Sequence, residues 1–559
     1  MILHNRGVRS FASHGVHPRG LRRVSLAFTG VNPVAREGYR ERPGYVLIAV
    51  LVVIVVLSLA AYRFTDSMSA EHRAAVRVSD AAQARAAAAS GIHYTAALLA
   101  DPDAFTNYLG GNPTLDNAEM FGAVPVRVDP NNPGRNASFR IVAVAMTGSG
   151  VYEQRAAVID EGAKLNINAL IAQDKTGEVL YNALLKIPDM SPDTADAIVD
   201  WVDADDTPRI NGAESTTYQS LNNPYRCKNG PLNSIEELLL VKGVTPQLLF
   251  GTDQNQNGAG DDGGSSLSRG WSDYLTVYGR EVGTDSTGQL KVYINGDDVA
   301  AIYAALQGSE VGSEVAAYIT AVKLFGSTKL DANGNPIQKG KGKGGQQKVE
   351  VATLDALTSA VETKLASTTS SGRAINSVID LVNTRVTLPG TAGGGGGQSA
   401  TLVYNSPLND PTRLRELLPV LLDRVATKEA VEVVPRLNVN AAPREVILGL
   451  PGLTDADADA IVGARDGVVP GTAEYATGAW LVTAANLTPE KFKAIEKYVT
   501  GRSMVYRVQS IGYLAGGGPV ARVEAVIDTN LGAPRVIYFR DLGDLDAPRG
   551  FQPPVAQQQ

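Results

Sequence analysis

The region of this 559-residue chain beyond position 93 has no histidine, and the whole chain has one cysteine. Without histidine, that region cannot build a Ser-His-Asp or Cys-His catalytic centre or a histidine-ligated zinc site. Because Cys227 is alone, no intrachain disulfide can form, and packed cores must hold the fold together. Hydrolysis by a pair of carboxylates stays open as an enzymatic alternative.

The chain is also short of positive charge, with 51 Lys and Arg against 58 Asp and Glu. The first 44 residues contribute +6, so the remainder carries −13 within a whole-chain charge of −7. Such an acidic region disfavours nucleic acid, whose phosphates are met by lysine and arginine. Its length, about 460 residues beyond the N-terminal helix, predicts two or three domains.

One long apolar run is present, from Tyr45 to Tyr62, eighteen residues without a charge. As a helix it would rise about 27 Å, close to the hydrocarbon thickness of a bilayer. The helical pattern continues through alanine-rich sequence to about Leu99, which predicts one helix of roughly 55 residues. The arginine-rich leader predicts a cytoplasmic N-terminus and an exported remainder. A cleaved signal peptide and an uncut signal anchor are the alternatives.

Strand patterns occur at both ends of the globular part, with helical patterns between them. We therefore predict an α+β fold: the long transmembrane helix, a pilin-like antiparallel sheet, and a large, mostly helical insertion that interrupts the sheet. The predicted segments are a leader at 1–44, a first half of the sheet domain at 100–163, an insertion at 164–500, a second half at 501–545 and a disordered tail at 546–559.

The insertion contains an internal repeat. The run KLNIN at 164–168, followed by LLKIPDMSPDTADAIVDW at 184–201, recurs as RLNVN at 436–440, followed by ILGLPGLTDADADAIVGA at 447–464. Each copy predicts a helix, a tight turn and a second helix capped by a hydroxyl residue. The predicted caps are Ser191 and Thr454, the two hairpins lie near 164–201 and 436–464, and a weaker third copy lies near 292–326.

This pattern is that of a helix-hairpin-helix, whose turn amides bind phosphate in DNA-binding proteins. A membrane-anchored DNA-uptake protein is therefore the alternative function. The second helices carry aspartates where phosphate binding requires cations, which favours a structural or protein-contact use of the hairpins.

Two stretches rich in glycine and lysine interrupt the insertion, at 330–347 and 389–399. Such composition cannot bury much apolar surface. Both are predicted to be flexible surface loops.

Two clusters of oxygen-bearing side chains predict metal sites. The first resembles the start of a calcium loop, with ligands at alternate positions and a glycine at the sixth, but it lacks the final glutamate. Asp262 or Asp273 would have to complete it. Its candidate ligands are Asp253, Asn255, Asn257, Ala259 and Asp261. The second cluster, which could equally be a solvated acidic loop, comprises Asp203, Asp205, Asp206 and Glu214.

Gly44, followed by Tyr45 and the apolar run, resembles the processing site of type IV pilins and type II secretion pseudopilins. More specifically, the run WVDADDTPR at 201–209, placed after LNIN and followed by PLNSIEEL at 231–238, resembles the K-type minor pseudopilins of type II secretion. Ala49, where most pilins have glutamate, agrees with that family, which characteristically lacks the glutamate. The resemblance covers residues from about 40 to 545.

The resemblance implies a non-enzymatic subunit in the inner membrane, with its globular part in the periplasm. It implies cleavage by prepilin peptidase between Gly44 and Tyr45, calcium in the globular part, and a place at the tip of the pseudopilus. The implied partners are the other minor pseudopilins and the major pseudopilin. The insertion would overhang the tip, where it could cap growth or touch secreted cargo or the outer-membrane channel, and the sequence does not choose between these roles.

Overall fold

The computed structural model describes residues 45–109, 115–146, 152–256, 258, 260–261, 267–331, 333–337, 349–367, 371–392, 400–530, 532–543 and 545. The predicted leader and tail lie outside these residues. The chain divides into two compact units, Met1–Arg73 and Ala74–Gln559.

Helix α1 runs without a break over Tyr45–Ala100, one residue beyond its predicted end. Its first part is long and apolar enough to cross a membrane, by length and composition. From Ala84 onward one face of the helix is buried, and this face includes Ala87, Ala88 and Ile92. The short helices Pro102–Tyr108 and Ala118–Phe121 follow.

The main sheet has seven strands and is antiparallel throughout. Its strands are β1 Val124–Arg127, β2 Ala137–Met146, β3 Tyr152–Arg155, β4 Ile159–Asp160, β5 Val505–Leu514, β6 Ala521–Asp528 and β7 Arg535–Asp541. Their order in the sheet is β1-β2-β5-β6-β7, with β3 paired to β2 and β4 paired to β5. Since Val142 on β2 pairs with Gln509 on β5, the two ends of the globular chain form one sheet, and the predicted interrupted α+β fold is confirmed.

Close packing joins the C-terminal part of α1 to the sheet. A Cβ atom on Gly91 would overlap the Ser510 hydroxyl and the Phe139 ring, and one on Gly512 would overlap the α1 backbone at Ala84. The absence of side chains at these two glycines lets the helix and β5 approach closely. Residues from α1, β2, β5 and β6 share one apolar core.

The insertion contains its own larger core, built from short helices and small sheets. Its helices are Ile167–Gln173, Glu178–Leu184, Pro192–Val202, Ser215–Gln219, Pro246–Phe250, Val299–Gln307, Ser313–Phe325, Leu354–Leu365, Pro411–Arg424, Arg444–Leu448, Asp455–Arg465, Ala473–Thr477, Trp480–Thr483 and Pro489–Ile495. Its strands are Leu165–Asn166, Leu275–Thr276, Glu281–Val282, Val292–Tyr293, Thr328–Lys329, Val349–Val351, Thr384–Ala392, Ala400–Asn405, Val425–Ala426, Glu432–Val433, Leu437–Asn438 and Val499–Thr500.

All three predicted hairpins are pairs of helices joined by a turn. The predicted caps are confirmed: Ser191 accepts the N–H of Thr194, and Thr454 forms a reciprocal capping box with Asp457. The first two copies are each closed by a short parallel strand pair. Leu165–Asn166 pairs with Leu275–Thr276 in the first copy, and Leu437–Asn438 pairs with Val499–Thr500 in the second.

The prediction of a flexible loop at 389–399 is wrong for its first four residues. The strand Thr384–Ala392 includes them, and Thr391 pairs with Thr401. Backbone hydrogen bonding to the neighbouring strand outweighs the weak local preference of this sequence. In the other predicted loop, Asp331 accepts the N–H groups of Asn333 and Asn335 and forms a tight turn. Residues 338–347 and 393–399 lie outside the described part of the chain.

Candidate metal centre

The second predicted acidic cluster lies where the second helix of the first hairpin ends. Asp203 is the C-terminal cap of Pro192–Val202, and the chain then turns through Asp205. It returns at Glu214, which precedes the helix Ser215–Gln219. Two helix ends and the loop between them therefore carry the carboxylates.

Two buried aspartates of the preceding helix hold this loop. Asp200 accepts the backbone N–H of Ala213 at 2.8 Å and that of Arg209 at 3.2 Å. Asp196 accepts the Arg209 side-chain Nε at 2.8 Å, and Arg209 also donates to Glu178 at 2.6 Å. The loop is thus tied to the helix by charge-assisted hydrogen bonds, which are stronger than neutral ones.

Three aromatic rings from the same region pack on one another. Trp201 packs edge-on against Tyr218 with the ring centres 5.1 Å apart, and Tyr218 stacks on Tyr225 at 5.2 Å. The chain then passes Cys227, whose buried thiol donates to the Asp200 carbonyl at 3.5 Å. Burial raises the pKa of this thiol to about 12, so it is an inert thiol.

Three of the four predicted carboxylates come together. One oxygen each of Asp203, Asp205 and Glu214 lie within 4.8 Å of one another. Ligands of one calcium ion lie 2.3 to 2.6 Å from it, so their mutual distances fall within about 5 Å. Asp206 is not a member of this group, and its pKa is lowered, first by the Ser215 hydroxyl.

Several oxygen acceptors of the cluster have no N–H or hydroxyl donor, and the weakly donating thiol of Cys227 is a side-chain partner of Glu214. In the described part of the chain, no N–H or hydroxyl group donates to Asp203 Oδ1 or to either oxygen of Glu214, although these atoms are buried. Unsatisfied buried acceptors are costly unless a ligand or water completes them. A set of carboxylate oxygens suits a hard divalent cation, so the residues present fit calcium.

The electrostatics agree with this chemistry. Burial, followed by the charges of Asp205 and Asp200, raises the pKa of Asp203 to about 6. Burial, together with the charges of Asp200 and Asp203, raises the pKa of Glu214 to about 7. Carboxyl groups crowded in this way repel one another when ionised, and a bound cation would relieve that repulsion.

The first predicted cluster forms a hydrogen-bonded loop on the sheet. Asp253 accepts the N–H of Gly258 at 2.8 Å, and Asp261 accepts that of Gln254 at 2.9 Å and the side-chain amide of Asn255. Arg522 on β6 donates to two carbonyl groups of the loop. Asn257, Ala259 and Asp262 lie outside the described residues, and calcium here stays a prediction.

The predicted cleavage site lies at the border of the described residues. Gly44 is outside them, and Tyr45 is the first residue of α1. Sequence reasoning also missed one residue beside the acidic cluster, Asn229, whose side-chain oxygen is buried and has no donor. No sequence motif near Asn229 indicated that it would lie beside the acidic cluster.

The region with the acidic cluster matches a known protein family. Residues 163–250 match the family model described as type II secretion system (T2SS), protein K. The type II secretion system protein K of Pectobacterium carotovorum subsp. carotovorum is 44% identical over 52 residues, 9% of this chain and 16% of that protein. The chain thus spans about a sixth of the length of this curated relative.

Among solved structures, one chain in the crystal structure of the GspK-GspI-GspJ complex from the enterotoxigenic Escherichia coli type 2 secretion system is similar at 11% identity. The match covers 85% of this chain and 99% of that chain, with a TM-score of 0.33. The resemblance to the K-type family is confirmed by the family model and the curated relative, and in this chain the region similar to the family model is residues 163–250.

Proposed function

We propose that this chain is a K-type minor pseudopilin of type II secretion. In this role the apolar part of α1 anchors it in the inner membrane, with the N-terminus cytoplasmic and the globular part periplasmic. Prepilin peptidase cuts between Gly44 and Tyr45. The subunit then joins other minor pseudopilins and the major pseudopilin at the filament tip and promotes the export of folded proteins.

One combination of features carries the proposal. A protein K domain is inserted between the two halves of an antiparallel sheet, and that sheet packs on the C-terminal part of a long helix with an apolar N-terminal part. A helix of this kind can anchor a protein and still offer a surface to other helices.

Only part of the surface of α1 is available to partner helices, because Ala84, Ala87 and Ala88 are buried. Contacts with neighbouring subunits would therefore involve the exposed residues before Ala84. In this role the insertion caps growth or contacts cargo or the outer-membrane channel.

The proposed role is structural and not enzymatic. This is tested by measuring the turnover of glycan substrates by the purified full chain, because hydrolysis by a pair of carboxylates is the enzymatic activity that the composition leaves open. No turnover is expected. Any turnover that Glu214→Gln abolishes would contradict the structural role.

We also propose that Asp203, Asp205 and Glu214 hold a structural calcium ion. The unsatisfied oxygens of Asp203 and Glu214 support this assignment. When bound, the ion would supply positive charge between the two helix ends that carry the carboxylates. Calcium should then raise the thermal midpoint of the full chain, as any ligand of the native state does, and Glu214→Gln should remove that effect.

The main test of the pseudopilin role is the mature N-terminus. The protein would be recovered from membranes of strains with and without prepilin peptidase, and its intact mass and N-terminal sequence measured. We expect an N-terminus at Tyr45 only when the peptidase is present. An uncut chain in both strains, or a chain cut beyond Tyr62, would overturn the proposal.

A second test addresses secretion directly. A strain that lacks this gene should regain export of type II substrates when it expresses the wild-type chain. The variant Gly44→Val should not restore export, because the processing site is lost. A matched change outside the site, Val34→Ala in the leader, should restore it fully.

A further inference from the structure

We infer that the insertion is a docked module, which separates from the sheet as a folded unit, and that Arg522 on β6 holds it in the docked position. The inference concerns only how two parts of this chain meet. It therefore stands or falls independently of the pseudopilin role and of the proposed calcium ion.

The two faces of the sheet differ in their chemistry. On β6, Val523, Ala525 and Ile527 belong to the apolar core that the sheet shares with α1. Because successive side chains of a strand point to opposite faces, Arg522 and Glu524 lie on the other face, toward the insertion. Both are buried there. One face of the sheet is therefore an apolar core and the other carries buried charges.

Arg522 connects this charged face to a loop of the insertion. It is 3% exposed, and it donates to the carbonyl of Gln256 at 2.6 Å and to that of Asn255 at 2.9 Å. Gln509, on the neighbouring strand β5, donates to the same Gln256 carbonyl at 3.0 Å. Side chains from two strands of the sheet thus hold one stretch of the insertion backbone.

Ion pairs cross the junction at other positions of the same face. Arg507 on β5 donates to Glu161 at 2.8 Å, and Lys164 at the start of the insertion donates to the same carboxylate at 2.9 Å. Arg540 on β7 donates to Glu236 of the insertion at 3.1 Å. Charged and hydrogen-bonded groups therefore join the insertion to three neighbouring strands.

The apolar cores of the two parts do not merge. Among the described residues, the core of the sheet with α1 and the core of the insertion are separate clusters. Val142 and Val526 are buried but belong to neither core. A cavity of about 120 Å³ at the junction is lined by Val142 and Arg507 from the sheet and by Phe250 from the insertion. Polar interfaces of this kind between parts of one chain permit relative motion.

The two chain connections across the junction lie side by side. The chain enters the insertion after β4, which ends at Asp160, and leaves it before β5, which begins at Val505. Asp160 accepts the side-chain amide of Asn438 at 2.8 Å and the hydroxyl of Ser503. Entry and exit are therefore tied together, which allows them to act as one hinge when the polar contacts break.

The test compares two neighbouring positions of β6 that are both fully buried, Val526 on the insertion side and Ala525 on the α1 side. Each is replaced by cysteine in the full chain in detergent, and labelling by a maleimide larger than the cavity is followed by mass spectrometry. Each rate is divided by the rate at the same site in urea-unfolded protein. Cys227, buried in the core of the insertion, is the internal reference for unfolding of the insertion.

We expect the Val526→Cys thiol to react roughly tenfold or more faster than the Ala525→Cys thiol, because local opening requires less free energy than global unfolding. Cys227 should react as slowly as the Ala525→Cys thiol, since the insertion stays folded when it undocks. Equal rates at positions 525 and 526 would overturn the inference. Labelling of Cys227 as fast as the Val526→Cys thiol would also overturn it, because the insertion would then unfold.

The role of Arg522 is tested in the same two cysteine backgrounds. Arg522→Met should accelerate labelling of the Val526→Cys thiol about tenfold relative to the Ala525→Cys thiol, because two hydrogen bonds from a charged group are lost. Arg155→Met is the matched control, because Arg155 lies on β3 and its partners Asp116 and Glu153 are outside the insertion. It should leave the ratio of the two rates unchanged.

Equal acceleration at both positions in Arg522→Met would overturn the role of Arg522 and leave the docked module in place. A second pair of probes covers the case in which the β6 variants do not fold. On β2, Val142 lines the junction cavity, whereas its neighbour Ile141 belongs to the core with α1, and both are buried. The Val142→Cys thiol should then react faster than the Ile141→Cys thiol, and equal rates would overturn the inference.

Discussion

The first and second copies of the hairpin unit use equivalent acids in opposite ways. Asp196 in the first copy corresponds in the repeat to Asp459 in the second. Asp196 is buried and receives Arg209 from the following loop. Asp459 has a side chain that is 63% exposed, and it pairs with Arg444 on the preceding helix at 2.6 Å. The aspartate at this helix position therefore holds the following loop in the first copy and forms a surface ion pair in the second.

The next turn of the helix shows the same contrast. Asp200 is fully buried beneath the acidic loop, whereas its counterpart Gly463 faces open space. Only the first copy carries the long loop that ends at Glu214. The difference teaches that the hairpin is a common scaffold, and that the candidate metal centre comes from the loop added to it.

What the two copies share lies in the LNIN element. Asn168 exchanges two hydrogen bonds with the backbone of Leu232. Asn440, its counterpart, donates to the carbonyls of Tyr475 and Gly501 and accepts from Trp480. In each copy the second asparagine therefore ties the start of the unit to distant backbone.

The largest effect on stability is expected from replacing a buried aspartate of the first copy, in comparison with an exposed aspartate of the second copy. Asp200→Ala should cost about 3 kcal/mol, because it leaves the N–H groups of Arg209 and Ala213 buried without an acceptor. Asp459→Ala should cost less than about 0.5 kcal/mol, as is usual for a surface ion pair. Urea unfolding of the full chain measures both, and hydrogen exchange should rise within 203–214 only in Asp200→Ala. Equal costs would contradict the contrast.

A second prediction concerns the first residue of each repeat, Lys164 in the first copy and Arg436 in the second. Each of these cations forms an ion pair with a buried glutamate. Burial alone would raise the pKa of Glu161, but the charges of Arg507 and Lys164 outweigh it and lower the pKa to about 2. Since this pKa lies below the unfolded value of about 4.3, the stabilisation is complete above about pH 5 and is lost as the pH falls toward 2.

The shift corresponds to a contribution on the order of 3 kcal/mol. Unfolding midpoints measured from pH 6 to pH 3 should therefore fall less steeply in Glu161→Gln than in the wild type. Glu281, the partner of Arg436 in the second copy, also has a lowered pKa, because Arg436 outweighs the effect of its burial. Parallel pH profiles of wild type and variant would contradict the role of Glu161.

A third prediction concerns the second asparagine of the LNIN element, which both copies share. Asn440→Ala should cost about 2 kcal/mol, because Asn440 is 1% exposed and the change leaves two carbonyls and the Trp480 N–H without partners. Asn168→Ala should cost about the same or somewhat less, since it breaks two bonds instead of three. Thermal midpoints of the two variants measure this order. A neutral Asn440→Ala would show that the LNIN element does not hold the unit together.

The smallest expected effect concerns the third copy, whose second helix buries a lysine. Lys323 is 1% exposed, and among the described residues its amine donates to the Arg373 carbonyl alone, at 3.4 Å. Burial lowers its pKa, so protonation at neutral pH costs stability. Lys323→Met should therefore raise the stability by about 1 kcal/mol.

The gain should shrink as the pH rises through the lowered pKa of this amine, because the neutral amine costs less to bury. Lys364→Met, at an exposed lysine in the neighbouring helix Leu354–Leu365, is the matched control and should leave the thermal midpoint unchanged. A lower midpoint in Lys323→Met would show that the amine contributes a favourable interaction.

Much of the fold was predictable because its signals are local. The strand pattern predicted near the C-terminal end of the globular part forms strands that include 505–514 and 535–541, and Ser191 and Thr454 cap the helices assigned to them. Alternating apolar residues and a hydroxyl before a helix act over a few residues, whatever surrounds them.

The candidate site was predictable only in part. The acids at 203, 205 and 214 stand close together in the sequence, so their grouping could be foreseen. The exclusion of Asp206 could not, because it depends on how a loop folds back over Asp196 and Asp200. Nor could composition reveal that residues 389–392 join a strand, since their partner strand supplies the hydrogen bonds.

The sequence by itself therefore determined the long apolar helix, the two strand groups, the repeated hairpins and the resemblance to the K-type family. Each depends on periodicity or on a motif within a short stretch of chain. The tertiary structure alone decided which acids are buried, which surface of α1 stays exposed and which oxygens are left without donors. These properties depend on residues that are distant in sequence, and burial changes the energy of a charge far more than its immediate neighbours along the chain do.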